Sequence, residues 1–206
     1  MHWNAKGFDT MIKGMRPTWR AYALGLALLA GTAGTWAYVV SAQNAERVRL
    51  ADVERQVDQR YDTIKHVSAG DVAKLMKREP NVVVFDVRKP GEYAVSRIAG
   101  ATRVDPGISK AQFMARFADK LRGKKVVFYC SVGVRSSRLA ERVGDALSGR
   151  GVSYVANMRG GIFRWHNQSR PLENDQGRTP FVHPYDKTWG RYVERNDLTR
   201  MTVIKP

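Results

Sequence analysis

The sequence predicts an α/β domain with a mainly parallel sheet, preceded by one membrane-spanning helix. Three observations predict it. Short β-branched runs bounded by turn residues alternate with helix-periodic segments through the second half of the chain. An uninterrupted uncharged stretch runs from Ala21 to Val40. A lone cysteine, Cys130, stands where one β-branched run, ending at Tyr129, gives way to a helical pattern.

At 206 residues the chain is long enough for one domain and appendages, and short for two cores. Its 35 Lys and Arg against 19 Asp and Glu give a formal net charge of +16. That excess suits anionic surroundings, whether acidic headgroups, an acidic protein or small anions. The basic residues are scattered, with no block interleaved with aromatics, so no nucleic-acid partner is expected. A single cysteine excludes an intramolecular disulfide, and His2, His66, His166 and His183 show no metal-ligand spacing. No metal and no cofactor are expected.

Residues 1–20 form a basic N-terminal segment, with Lys6, Lys13, Arg16 and Arg20. The twenty residues 21–40 just cross a hydrocarbon core of about 30 Å as a transmembrane helix. Trp19, Trp36 and Tyr38 sit near its ends, where amphipathic rings prefer the headgroup level. The apolar run exceeds that of a removable signal, so it is expected to stay as a single-pass anchor. Arg47, Arg49 and Arg55 follow it, and the narrow basic excess before it places the N-terminus in the cytoplasm and the remainder in the periplasm. The inverted topology, with the domain on the cytoplasmic face, is the alternative. Residues 41–62 carry Val48, Leu50, Val53 and Val57 among charges, the pattern of an amphipathic helical stalk or linker leading away from the membrane.

The α/β domain is expected over residues 63–172. Ser68 ahead of Asp71 predicts an N-cap and a helix to about Lys77, with Val72, Leu75 and Met76 inward. Asn81 to Val87 reads as a buried strand. Lys110 to Leu121 places Phe113, Met114, Phe117 and Leu121 at helical spacing, and Lys124 to Tyr129 is a second buried strand. Ser136 to Ser148 is helical until Gly149 and Gly151, and Val152 to Ala156 makes another strand.

Ligands of open α/β sheets bind beyond the carboxyl ends of the strands. Cys130-Ser131-Val132-Gly133-Val134-Arg135-Ser136 occupies that place. A loop curled around the sulfur points backbone N–H groups inward, and the following helix adds partial positive charge, so a thiolate is stabilised. Gly133 supplies backbone freedom and Arg135 a fixed positive charge for an anionic donor. Cys130 and Arg135 are the catalytic candidates. Ser131, Val132, Gly133, Val134 and Ser136 are candidates for substrate binding.

This segment resembles the active-site loop of the rhodanese family, C-x-x-G-x-R-S. The likeness continues in Asp86-Val87-Arg88, Glu92-Tyr93 and Ile98-Ala99-Gly100-Ala101 upstream, and in Gly160-Gly161-Ile162-Phe163-Arg164-Trp165 and Pro171-Leu172 downstream. The resemblance implies a five-stranded parallel sheet flanked by helices, with Asp86 and Arg88 near the loop, Arg88 as a candidate for substrate binding and Asp86 as structural support of the site. It also implies a sulfurtransferase in which Cys130 takes sulfane sulfur from an anionic donor such as thiosulfate. The resulting persulfide passes its outer sulfur to a thiol or cyanide acceptor. Ser96-Arg97-Ile98 departs from the family's G-H-I.

Residues 173–206 form a C-terminal extension whose Phe181, Tyr185, Trp189 and Tyr192 are expected to pack on the domain, or to dock a protein partner. A phosphatase or arsenate reductase resembles C-x-x-x-x-x-R, one residue longer than the Cys130 to Arg135 spacing here, and usually has histidine where Tyr129 stands. The stronger alternative is an accessory or anchoring subunit of a membrane complex with little turnover of its own.

Overall fold

A computed structural model describes residues 49–203. The predicted membrane helix 21–40 and the basic segment 1–20 lie outside the described residues. Among the described residues no helix is long and apolar enough to cross a membrane.

Five parallel strands make the central sheet: β1 (Lys65–Val67), β2 (Val82–Asp86), β3 (Thr102–Arg103), β4 (Lys125–Tyr129) and β5 (Tyr154–Met158), in the order β1-β5-β4-β2-β3. Val82 to Asp86 lies in register with Lys125 to Tyr129, so the carboxyl ends of β2 and β4 finish side by side. This alignment brings Asp86 and Cys130 to one edge. The long β-branched runs take the middle because a parallel strand is buried on both faces. The short strands β1 and β3 take the edges.

The helices start where side chains can replace the missing intrahelical bonds. Ser68 Oγ accepts from Asp71 N at 3.1 Å ahead of α2 (Ala69–Arg78). Ser109 and Gln112 form a reciprocal capping box ahead of α4 (Lys110–Leu121). Pro90 opens α3 (Pro90–Val95), where its lack of an N–H costs nothing. Two further helices, α5 (Val134–Ser148) and α6 (Gly161–Asn167), each follow a glycine with positive φ. Phe85 of β2, Phe128 of β4 and Phe113 and Phe117 of α4 form one aromatic cluster, with centroids from 4.9 to 5.7 Å apart. Leu139, Val143 and Leu147 of α5 complete that side of the core.

The amphipathic segment after residue 49 differs from the stalk expected of it. Helix α1 (Leu50–Arg60) buries Leu50, Val53 and Val57 in the domain. Glu54 accepts two bonds from Arg164 of α6 at 2.7 and 2.9 Å, and Asp58 accepts from Arg159 at 2.6 Å. Periodicity shows that a helix has an apolar face and leaves open what that face meets. Here it meets the α/β layer rather than solvent or a lipid boundary.

The C-terminal extension contains a hairpin of β6 (Leu172–Asn174) and β7 (Gly177–Thr179), then α7 (Lys187–Gly190) and a 3-10 turn (Asn196–Leu198). Val182 and Val193 are fully buried, as is most of Tyr192, whereas Phe181, Tyr185 and Trp189 are half-buried. Val182 bonds Leu198 and Arg200 through its backbone, so the end of the chain folds back on the segment after the hairpin.

Candidate active site

Cys130 follows β4 directly, and the loop after it turns through Gly133, whose φ of 105° lies in the left-handed region. A side chain there would be strained and would also crowd Asn157 Nδ2, 3.3 Å from the added carbon. The turn brings Gly133 N to 3.2 Å from Cys130 Sγ, and the amides of Val132 and Ser136 also bond the sulfur. Helix α5 begins at Val134, two residues earlier than predicted, because Gly133 serves as its N-cap.

Burial of the Cys130 thiol pushes its pKa up. The Arg135 charge and the loop amides outweigh that effect, and the thiol lies below its ordinary value. Cys130 is thus a buried thiol whose anionic form Arg135 and the loop amides favour.

Arg135 is placed differently from a free anion receptor. Its guanidinium grips Glu92 of α3 through two bonds, at 2.8 and 2.7 Å, and reaches Ser131 Oγ at 2.9 Å. Ser131 Oγ donates to the same carboxylate at 3.0 Å. Glu92 is nearly inaccessible, and burial would raise its pKa. The Arg135 bonds and charge, with Arg88 and the Lys89 amide, win and hold it at about 2. Glu92 is the functional residue that sequence reasoning missed. It stood in the Glu92-Tyr93 motif, but nothing local ties position 92 to position 135.

Asp86 and Arg88 form a fully buried pair, with Nε to Oδ1 at 2.8 Å and Nη2 to Oδ2 at 2.6 Å. Asp86 also accepts from Tyr129 Oη at 2.7 Å, and Arg88 donates to the Ser96 carbonyl at 2.5 Å. Asp86 is thus placed as structural support. Arg88, expected among the substrate-binding residues, spends these bonds beneath the loop and has no exposed surface. The structure assigns it to the framework. Arg97, in the motif that departs from the family, pairs with Glu173 and Asp175 of the extension.

A hydrogen-bonded chain leads away from the loop on its other side. Ser136 Oγ donates to Asn157 Oδ1 at 2.6 Å, Asn157 Nδ2 donates to His66 Nδ1 at 3.2 Å, and His66 Nε2 donates to Tyr61 O at 2.8 Å. Helix α6 clamps the loop from below. Ile162 N donates to Cys130 O at 2.8 Å and Phe163 N to Ser131 O at 3.1 Å. A Cβ on Gly161 would overlap the Cys130 carbonyl oxygen and lie 2.7 Å from the Ser131 carbonyl, which explains the glycine pair ahead of Trp165. The extension approaches from above: the Tyr185 ring lies over Arg135, and His183 Nδ1 accepts from Tyr185 N at 2.9 Å. Among the described residues no group of three His, Cys, Asp or Glu is placed to hold a metal ion.

Residues 68–168 match the family model of the rhodanese-like domain. Curated relatives include a tRNA uridine(34) hydroxylase of Bacillus velezensis, 31% identical over 53% of this chain and 33% of that protein. The corresponding hydroxylase of Cytophaga hutchinsonii is 31% identical over 54% of this chain and 34% of that protein. The chain thus spans about a third of the length of these relatives. Among solved structures, a thiosulfate sulfurtransferase of Pseudomonas aeruginosa is 20% identical over 70% of this chain and 26% of that one, with a TM-score of 0.47. A Rhodopseudomonas palustris protein of unknown function, described as a possible tyrosine phosphatase, is 22% identical over 73% of this chain and 99% of that one, with a TM-score of 0.45.

Proposed function

We propose, from the premise that residues 68–168 form a rhodanese-like domain, that this chain is a sulfurtransferase working through a Cys130 persulfide. The observation that carries the reading is the convergence of the Val132, Gly133 and Ser136 amides on the Cys130 sulfur, with the Arg135 charge beside it. Main-chain donors aimed at one atom stabilise whatever anion that atom carries, first a thiolate and then a persulfide.

In the first half-reaction the thiolate attacks the outer sulfur of a donor such as thiosulfate. A new S–S bond forms, the donor's S–S bond breaks, and sulfite leaves with the electron pair. In the second, a thiolate or cyanide attacks the outer sulfur and Cys130 leaves as thiolate. Arg135 balances charge at the sulfur and, through Glu92, keeps the loop in shape. The uncharged run 21–40 supports a membrane tether, with the domain on the periplasmic side as the basic residues before it favour.

The test is mass spectrometry of the full chain after exposure to thiosulfate, with Cys130→Ser as control, followed by cyanide. The expected result is one added sulfur on Cys130, released as thiocyanate. A thiol unmodified by thiosulfate and by organic persulfides alike would overturn the reading. In that case the accessory-subunit alternative, favoured by the cover that Tyr185 lays over Arg135, becomes the better account. The relatives' name supports a second catalytic reading, action on tRNA uridine, which incubation with tRNA and nucleoside analysis would test.

A further inference from the structure

A cavity lies at the end of α6 away from the cysteine loop, with a volume of about 500 Å³. Arg170, Arg178 and Arg195 line it, and no carboxylate does. Arg178 stands exposed on β7, opposite Glu173 of β6, and among the described residues it forms no ion pair. Arg195 donates through Nη2 to the His166 carbonyl at 2.6 Å, and its buried Nε has no hydrogen-bond partner.

His166, which also lines the cavity, is 1% exposed. Its Nε2 donates to the Pro180 carbonyl at 3.0 Å, and its Nδ1 is buried without a partner. A carbonyl can only accept, so Nε2 carries the proton and Nδ1 is bare in the neutral ring. Burial keeps the ring below its ordinary pKa; Arg195 reinforces that, while Asp197 and the Pro180 carbonyl oppose it. Thr179 Oγ1 accepts from Phe181 N, which leaves its own proton free. Arg170 spends Nε on Gln168 Oε1 at 2.8 Å and stacks on Trp165, which leaves its terminal nitrogens for a ligand. Three guanidinium groups lining one cavity suit a tetrahedral oxyanion, and Pro171 and Pro180 supply apolar wall beside them.

We propose that this cavity binds a small organic phosphomonoester, its dianionic head held by Arg170, Arg178 and Arg195 and its body resting on Pro171 and Pro180. The volume exceeds that of a bare phosphate, so a ligand with an organic body fills it better. A dianion beside Nδ1 favours a proton there, which turns a bare lone pair into a fourth donor. Binding and protonation of His166 are then linked. The charged groups around the ring are those already named: Arg195 and Asp197 from the chain end, Arg170 from the α6–β6 connection and Arg178 from β7. The site is independent of sulfur transfer, because α6 separates it from Cys130.

The test uses the full-length chain in neutral detergent, titrated with phenyl phosphate while the His166 ring is followed by NMR, with chloride at matched ionic strength as control. The expected result is saturable binding that moves the His166 resonance, raises its titration midpoint and survives Cys130→Ser. Arg178→Glu should weaken the affinity at least tenfold, and Arg178→Gln should do so less strongly should the charge reversal prevent folding. Absence of saturation, an unmoved His166 or an unaltered affinity in the Arg178 variants would overturn the site. Tighter binding of inorganic phosphate than of phenyl phosphate would overturn its organic ligand. Uptake of short-chain phosphatidate alone would overturn a soluble one.

Discussion

Tyr185 stands over the guanidinium of Arg135, with Cζ 5.0 Å from the ring centroid. The tyrosine holds a φ of 67°, a conformation that L side chains other than asparagine and aspartate rarely adopt. The strain persists because the neighbouring His183 accepts the Tyr185 amide and the ring gains a cation to stack on. The face of Arg135 turned away from Glu92 is thereby occupied by the extension.

Tyr185→Ala should expose the loop without dismantling it. Alkylation of Cys130 by iodoacetamide is expected to speed up about five- to tenfold, an opening worth roughly 1 kcal/mol of cation–π contact. An unchanged rate, with the fold intact by circular dichroism, would show that the ring does not control access.

Acid should loosen the same cover. Burial lowers the pKa of His183; Glu92 opposes this, and Arg88 and Arg135 add to it. The unfolded ring takes up a proton more readily than the folded one. The stability that neutral His183 contributes is therefore complete above the ordinary histidine value of 6.5 and declines as pH falls below it. Protonated Nδ1 can no longer accept from Tyr185. Hydrogen exchange at the Tyr185 amide, corrected for intrinsic rate, should accelerate as pH falls below 6.5. His183→Asn should flatten that dependence.

Glu92→Gln should remove the charge that holds Arg135 while keeping most of the shape. Breaking one half of a buried ion pair costs roughly 3–5 kcal/mol, to be read from denaturant unfolding. Because Glu92 sits at about 2 against an ordinary 4.5, its contribution is present above pH 4.5 and is lost as pH falls toward 2. The wild-type protein should lose stability across that window more steeply than the Gln variant.

Gly161→Ala should be far more damaging than Gly160→Ala, although both glycines have positive φ. At Gly161 the added carbon meets the backbone of Cys130 and Ser131, which cannot yield without moving the sulfur. At Gly160 it meets side-chain atoms of Glu54 and Arg164. Loss of persulfide formation in the first variant, against a modest fall in melting temperature in the second, is the expected contrast.

The parts of this fold that local pattern specifies were legible in the sequence. Val82–Asp86 and Lys125–Tyr129 announce themselves as β-branched runs, and Lys110–Leu121 repeats its apolar residues at helical spacing. Strands of two and three residues at the sheet edges carry too little pattern to see, as at Thr102–Arg103 and Lys65–Val67. The cysteine loop was legible because its chemistry is contiguous. Its support was less so: Glu92 and Arg135 are 43 residues apart, and Arg88 turns back to Asp86 instead of forward to the sulfur. Whether the extension would lie over the loop depended on tertiary packing that no local period encodes.

The carbonyls of Cys130 and Ser131 are both tied to amides of α6. Their negative poles are thus turned toward α6, while the amides of Val132, Gly133 and Ser136 point at the sulfur. The potential at the sulfur is accordingly set by the main chain together with Arg135, while Val132 and Val134 bury their side chains.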